Sequence, residues 1–206
     1  MNNCQLSWGR YPYYPQHLIA VGWPEDVARR MSKMGEETTL AFGMGRSYGD
    51  SCLAVSNSVL SMRDMNHILD ADWERGVIKA HAGITLDELI TVILPRGWFL
   101  PVTPGTRFVT LGGAVANDVH GKNHHTKGTF GSHVCELMLD RSDEREVVCS
   151  PSERQELFAA TIGGLGLTGV ILTVELQLRR IETNQIQQHS IKFNNFSVIN
   201  IILRHI

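Results

Sequence analysis

The residues best suited to chemistry form one glycine-rich run, Gly43-Met44-Gly45-Arg46-Ser47-Tyr48-Gly49-Asp50. Glycines leave backbone N–H groups uncovered by a Cβ atom, and converging N–H groups bind phosphate anions. Arg46 and Ser47 can add side-chain donors. The spacing G-x-G-x-x-x-G is longer than the Rossmann fingerprint, and no helix pattern or P-loop ending follows it. The run therefore predicts a loop that holds a dinucleotide diphosphate, with an ordinary glycine-rich turn as the alternative.

A second constellation begins at Pro104-Gly105-Thr106-Arg107 and continues through Thr110-Leu111-Gly112-Gly113 to Asn117-Asp118-Val119-His120-Gly121. Thr110 can cap a helix that opens on two glycines, where a phosphate or a flat ring can approach the positive helix end. A third cluster, Gly163-Gly164-Leu165-Gly166-Leu167-Thr168-Gly169, follows a predicted helix. Loops of this kind in one domain predict a long ligand threaded along it.

The histidines offer a second kind of chemistry, a metal site. His120 and His124 have the i, i+4 spacing of a zinc-binding helix, but Gly121 stands where the His-Glu-x-x-His motif has glutamate. A metal is therefore disfavoured. For His124, His125 and His133 we expect polar loop residues that hydrogen-bond to the backbone.

The elements around these motifs alternate between helix and strand, which indicates an α+β or α/β arrangement. A first helix is predicted to begin at Pro24 and to close at Gly35, and a strand at Thr38 to Phe42 leads directly into the first glycine run. Strands are also predicted at 58–62, at 76–80 and at 170–178, the last with one buried face, and residues 134–139 and 147–149 are predicted to form a hairpin. Two further helices are predicted. One is capped by Thr85 and Glu88 and ended by Pro95, and a short one is capped by Ser152 with Gln155.

Composition narrows the function classes. The 19 Lys+Arg against 21 Asp+Glu give a formal charge of −2, which supplies no basic field for nucleic acid. The apolar runs are too short for a transmembrane helix. The N-terminal residues lack the pattern of a secretory signal, so we expect a cytoplasmic location. The four cysteines form no Cys-x-x-Cys pair and predict neither a zinc ribbon nor a disulfide scaffold.

The motifs resemble those of the decaprenylphosphoryl-β-D-ribose 2-oxidases, which are FAD-linked oxidases of the vanillyl-alcohol-oxidase type. The resemblance covers about residues 10–180 and rests on the glycine runs, on His120-Gly121-Lys122-Asn123-His124-His125 and on Gly128-Thr129-Phe130-Gly131. It implies a two-lobed α+β FAD-binding domain of the PCMH type over residues 1–180. Arg46 stands where some relatives carry a histidine that binds FAD covalently, so the resemblance implies non-covalent FAD.

The resemblance also implies roles for single residues. Its catalytic residues would be His120 and Lys122, which can hydrogen-bond a sugar hydroxyl or stabilise anionic reduced flavin. Its cofactor-binding residues would be Ala41, Phe42, Gly43, Met44, Gly45, Arg46, Ser47, Tyr48, Gly49, Asp50, Ser51, Gly105, Thr110, Leu111, Gly112, Gly113, Asn117, Asp118, Val119, His120 and Ile171.

The implied activity is oxidation of a hydroxyl on a sugar or lipid-linked sugar by hydride transfer to flavin, after which a partner reductase completes an epimerisation. Residues 181–206 are expected to be a tail at the start of a substrate or cap domain that is missing or truncated. A separate chain could supply that domain. The isolated chain could then be inactive. Two alternatives stay open: the FAD domain of an aldonolactone or alditol oxidase, and a non-catalytic flavin-binding remnant.

Overall fold

The structure, a computed structural model, describes residues 6–33, 38–186, 188, 190 and 192, and it has two lobes with separate sheets. The first lobe contains β1 (His17–Ala20), α1 (Pro24–Lys33), β2 (Leu40–Phe42) and β3 (Ser58–Ser61). The elements that follow are β4 (Ile68–Asp72), β5 (Val77–His81), α2 (Leu86–Ile93), β6 (Trp98–Phe99), α3 (Leu111–Ala116), α4 (His124–Lys127), β7 (Val134–Asp140), β8 (Val147–Cys149), α5 (Gln155–Thr161), β9 (Val170–Gln177) and β10 (Arg179–Arg180).

The first lobe is a three-stranded parallel sheet in the order β1-β3-β2. Helix α1 begins at Pro24 as predicted, carries its acidic residues in the first turn and buries Val27. The predicted helix end at Gly35 lies outside the described residues. Strand β2 ends at Phe42, so the first glycine run leaves the sheet at its carboxyl edge, beside the end of β3.

The second lobe is a five-stranded antiparallel sheet in the order β4-β5-β9-β7-β8. The predicted hairpin is confirmed as β7 and β8, which pair from Leu137↔Cys149 to Leu139↔Val147. Helices α2 and α3 pack their buried residues, among them Leu89 and Val115, into the main core with this sheet. The α+β class with two lobes, predicted from the sequence, is confirmed.

Strand β9 differs from the prediction of one buried face. Its first five residues, Val170 to Val174, are all buried. Leu172 packs with Val27 and Leu60 of the first lobe, whereas Val174 packs into the core of the second lobe. Because apolar residues lie on both faces, the central strand joins the two lobes.

Two of the predicted helix caps have opposite outcomes. The capping box of α2 is confirmed, since Thr85 Oγ1 accepts from Glu88 N at 3.2 Å and Thr85 N donates to Glu88 Oε2 at 2.7 Å. Partial burial opposes ionisation of Glu88, but the hydrogen bond from Thr85 N and those from Arg63 outweigh it and hold the pKa of that carboxyl below its usual range. The predicted Ser152 cap of α5 is wrong, because the residue before α5 is Arg154, in the left-handed region and without a side-chain cap.

Within the described part of the chain, no helix is long and apolar enough to cross a membrane. Strand β10 pairs antiparallel with β6, so the chain stays hydrogen-bonded to the domain as far as Ile181, whose N–H donates to Gly97 O at 3.0 Å. A domain boundary near residue 180 stays a prediction, and most of the expected tail lies outside the described residues.

Candidate functional site

A cleft of about 650 Å³ lies where residues of both lobes meet. Its walls come from the loop after β2, which we call the first loop (residues 43–52), from α3 and the segments on either side of it, and from the loop before β9. The predicted cofactor-binding residues that line the cleft are Ala41, Gly43, Met44, Gly45, Arg46, Ser47, Tyr48, Ser51, Gly105, Thr110, Gly112, Gly113, Asn117, Val119, His120 and Ile171.

Other predicted site residues lie outside this lining. They are Phe42, Gly49, Asp50, Leu111, Asp118 and Lys122. Phe42 and Leu111 are buried in core clusters, and Asp118 Oδ1 accepts a hydrogen bond from Gly131 N at 2.8 Å. Asp118 therefore fixes the turn that follows α4. Lys122 is exposed, and its role stays a prediction.

Sequence reasoning missed several lining residues. Trp8 comes from the N-terminal segment, Met62 follows β3, and Ala82 follows β5. These residues carry no motif, and only the packing of strands distant in the sequence brings them to the cleft. Cys52 also lines it. Burial raises the pKa of its thiol, so Cys52 stays protonated at neutral pH and is not an activated nucleophile.

The first loop presents backbone donors that have no acceptor in the described part of the chain. Among the described residues, no acceptor within hydrogen-bonding distance faces the backbone N–H groups of residues 43–48. A run of such donors along a cleft is suited to a ligand with several acceptor oxygens. The guanidinium of Arg46 adds a positive charge beside them, and its Nε is buried without a partner in the described chain.

Glycine is required in this loop for a geometric reason. Gly45 has a φ of +59°, and a Cβ there would lie 2.7 Å from Leu6 O and 2.9 Å from Phe42 Cζ. Gly49 has nearly the same φ, +61°, but a Cβ there would meet nothing within 4 Å. Position 45 is therefore restricted by both backbone conformation and space, and position 49 by conformation alone.

The first N–H groups of α3 are paired within the protein. Thr110 caps it as predicted, but Leu111 N donates to Ile84 O, Gly112 N to Ala82 O and Gly113 N to Thr110 Oγ1, at 2.7–3.1 Å. These N–H groups already have acceptors in the protein, so the first loop and not the helix start supplies the free donors. A Cβ on Gly112 would lie 2.8 Å from Ala82 Cβ, so this glycine lets α3 pack against the end of β5.

The third glycine cluster is attached to α3. Gly163 N donates to Val115 O at 3.0 Å and Leu165 N donates to Ala116 O at 2.8 Å. Leu165, with a φ of +54°, and Gly166, with a φ of +78°, line the cleft. The cluster therefore lies at the cleft, and its contact with a ligand stays a prediction.

The histidine segment brings one of its histidines to the cleft. His120 lines it and is exposed, and its ring centroid lies 5.3 Å from that of His124. His124 Nδ1 lies 3.1 Å from Gly121 O and His133 Nε2 lies 2.9 Å from Lys127 O, so the expected bonds to the backbone are confirmed for these two. His120 precedes α4 and does not share a helix with His124. No cluster of three or more metal-ligating side chains occurs in the described part.

Comparison with known proteins yields a consistent set of matches. A family model described as an FAD binding domain matches residues 15–150. The decaprenylphosphoryl-beta-D-ribose oxidase of Mycolicibacterium smegmatis is 38% identical over 183 residues, which cover 86% of this chain and 40% of that protein. The L-gulonolactone oxidase of Mus musculus is 31% identical over 177 residues, or 85% of this chain and 39% of that one. The chain thus spans about two fifths of the length of these relatives.

A solved structure supports the fold. An alkyldihydroxyacetonephosphate synthase superposes with a TM-score of 0.69 at 20% sequence identity, and the match covers 79% of this chain and 31% of that one. At this identity, the likeness concerns the architecture of the chain and not its substrate.

Proposed function

This chain belongs to the FAD binding domain family, and from that premise we propose that it is the cofactor-holding part of an oxidoreductase that oxidises a sugar hydroxyl. FAD carries a diphosphate with two negative charges. The first loop offers the free N–H groups of residues 43–48 and the guanidinium of Arg46 in one cleft. This set of donors, together with the positive charge of Arg46, is the observation that carries the proposal, because a diphosphate offers acceptor oxygens and negative charge.

The rest of the cleft suits the remainder of the cofactor. Gly113, Val119 and Ile171 offer small or apolar surface for a flat ring. Asn117 Nδ2 donates to Gly113 O at 2.9 Å, which ties its side chain to α3 and leaves its amide oxygen as an acceptor. We assign these residues, with the first loop, to the FAD site.

FAD, when bound, supplies the hydride acceptor for oxidation of a CH–OH carbon. His120 lies in the cleft, where its imidazole can bind the sugar hydroxyl and take up the proton that leaves it. Lys122, two residues further on, would add positive charge from outside the cleft lining. We propose these two residues as the chain's own catalytic groups.

We propose a ribose or lipid-linked ribose as the substrate, with support from the 38% identity to an oxidase of that kind. Because the chain spans 40% of that relative, we expect turnover in an assembly that adds the remaining part, and a partner reductase for the keto product. We expect the assembly in the cytoplasm. An aldonolactone oxidase is the second candidate, supported by the 31% identity to L-gulonolactone oxidase.

The proposal predicts that the purified chain takes up FAD without a covalent bond. A guanidinium is a poor nucleophile, so we expect no covalent bond between Arg46 and the flavin. The measurement is a visible absorbance spectrum with and without added FAD, followed by acid precipitation. We expect flavin bands that move to the supernatant. A chain that stays colourless with excess FAD would overturn the proposed function, whereas flavin retained in the pellet would overturn only the non-covalent assignment.

A further inference from the structure

The N-terminal segment, which we define as residues 6–10, lies directly against the first loop. Trp8 N donates to Ser47 O at 3.2 Å, and Leu6 O lies 2.7 Å from the position that a Cβ on Gly45 would occupy. The segment turns back on itself through a bond from Arg10 N to Ser7 O at 3.1 Å. It precedes residues 15–150, the range that the family model matches.

Trp8 makes one contact that concerns charge. Arg46 Cζ lies over the indole at 4.9 Å from the ring centroid, within the range of a cation–π interaction. Arg46 lines the cleft, and no salt bridge to it occurs among the described residues. Its Nε is buried and without a described acceptor. Within the described part of the chain, the cation thus contacts an aromatic face and no carboxylate.

This kind of contact has a particular consequence for anion binding. A guanidinium that stacks on a ring uses its face and leaves the N–H groups along its edge free for an anion. A carboxylate partner would instead occupy those N–H groups and cancel the charge. A free arginine side chain also loses rotamer entropy when it binds, and a stack that already orders it reduces that loss.

We infer that Trp8 is a positioning residue, which orients the guanidinium of Arg46 toward the diphosphate of FAD. The N-terminal segment thereby becomes part of the cofactor site, although it lies outside the matched family range. The inference rests on the proposed function, because it takes FAD as the anion that Arg46 meets.

The test is a double-mutant cycle on the Kd of FAD, measured by fluorescence titration of the full chain. We expect Trp8→Ala to raise the Kd about tenfold, the scale of one cation–π contact together with the lost ordering. Trp8→Phe keeps an aromatic face, so it should raise the Kd by about twofold. In the Arg46→Met background, Trp8→Ala should change the Kd by less than about twofold, because its effect passes through Arg46.

Trp23→Ala is the matched control. Trp23 is 54% exposed, much like Trp8 at 55%, and it does not line the cleft, so its replacement should leave the Kd unchanged. Thermal unfolding without FAD checks that each variant is folded.

The outcomes separate the inference from the function on which it rests. If wild type binds FAD but Trp8→Ala has no effect, or has the same effect with and without Arg46, the positioning role is wrong. The second of these results would mean that Trp8 touches FAD directly. If wild type takes up no FAD, the proposed function fails, and the inference fails with it.

Discussion

Replacing Gly45 with alanine should raise the Kd of FAD about 100-fold, the equivalent of about 3 kcal/mol. A Cβ at position 45 would contact Leu6 O and the Phe42 ring at under 3 Å, so the loop must move away from the N-terminal segment. The N–H groups of residues 43–48 would then shift from their positions in the cleft. Each hydrogen bond to a charged group contributes on the order of 1.5–3 kcal/mol, so the loss of one or two explains the magnitude.

Gly49→Ala is the matched control for this variant. Both glycines have a φ near +60°, so both substitutions carry a similar conformational cost of about 1–2 kcal/mol. Only the change at Gly45 adds a steric clash. Titration of FAD into both variants should therefore show a weakened Gly45→Ala and a Gly49→Ala within about fivefold of wild type. Equal Kd values for the two variants would show that the fit of the first loop does not determine FAD binding.

Replacing Gly83 with alanine should destabilise the fold by about 3 kcal/mol, which lowers the Tm by about 6–12 °C for a chain of this length. A Cβ there would lie 1.7 Å from Met62 O and 2.6 Å from Met65 O, and both atoms belong to the backbone. Neither can rotate away as a side chain can. The turn after β3 rests on the segment after β5 at this point, and the Arg63 guanidinium also bonds to Gly83 O.

Gly105→Ala tests whether the effect is specific, because a Cβ at Gly105 would meet nothing within 4 Å and its φ is not in the left-handed region. Thermal unfolding followed by circular dichroism should show a Tm near that of wild type for Gly105→Ala and a marked fall for Gly83→Ala. An unchanged Tm for Gly83→Ala would contradict the close contact between the lobes at this glycine.

The features predicted correctly from the sequence are those fixed by neighbours along the chain. The start of α1 at Pro24 and the cap of α2 by Thr85 and Glu88 involve residues within one helical turn. The cap of α5 was also a local prediction, and a competing local bond defeats it. Ser150 Oγ accepts from the N–H groups of Ser152 and Glu153 at 3.2 and 3.0 Å, which holds the chain in a turn ahead of α5.

The site was predictable where glycine chemistry marks it and unpredictable where packing forms it. The first loop carries its own signal, because glycines at this spacing free the backbone donors. Trp8, Met62 and Ala82 reach the cleft through contacts between distant segments, and no local pattern marks them. Gly112 looks like a ligand-binding glycine, but its contact is with Ala82, thirty positions earlier in the chain. From one sequence alone, a glycine required by a ligand cannot be distinguished from a glycine required by close packing.

Hydrogen–deuterium exchange shows directly whether the N–H groups of residues 43–48 bind FAD. These amides have no described acceptor in the protein, so they should exchange quickly in the chain alone and at least about tenfold more slowly with saturating FAD. The exposed residues 142–146, which do not line the cleft, should be unaffected. Saturation with FAD that leaves exchange at residues 43–48 unchanged would contradict the account.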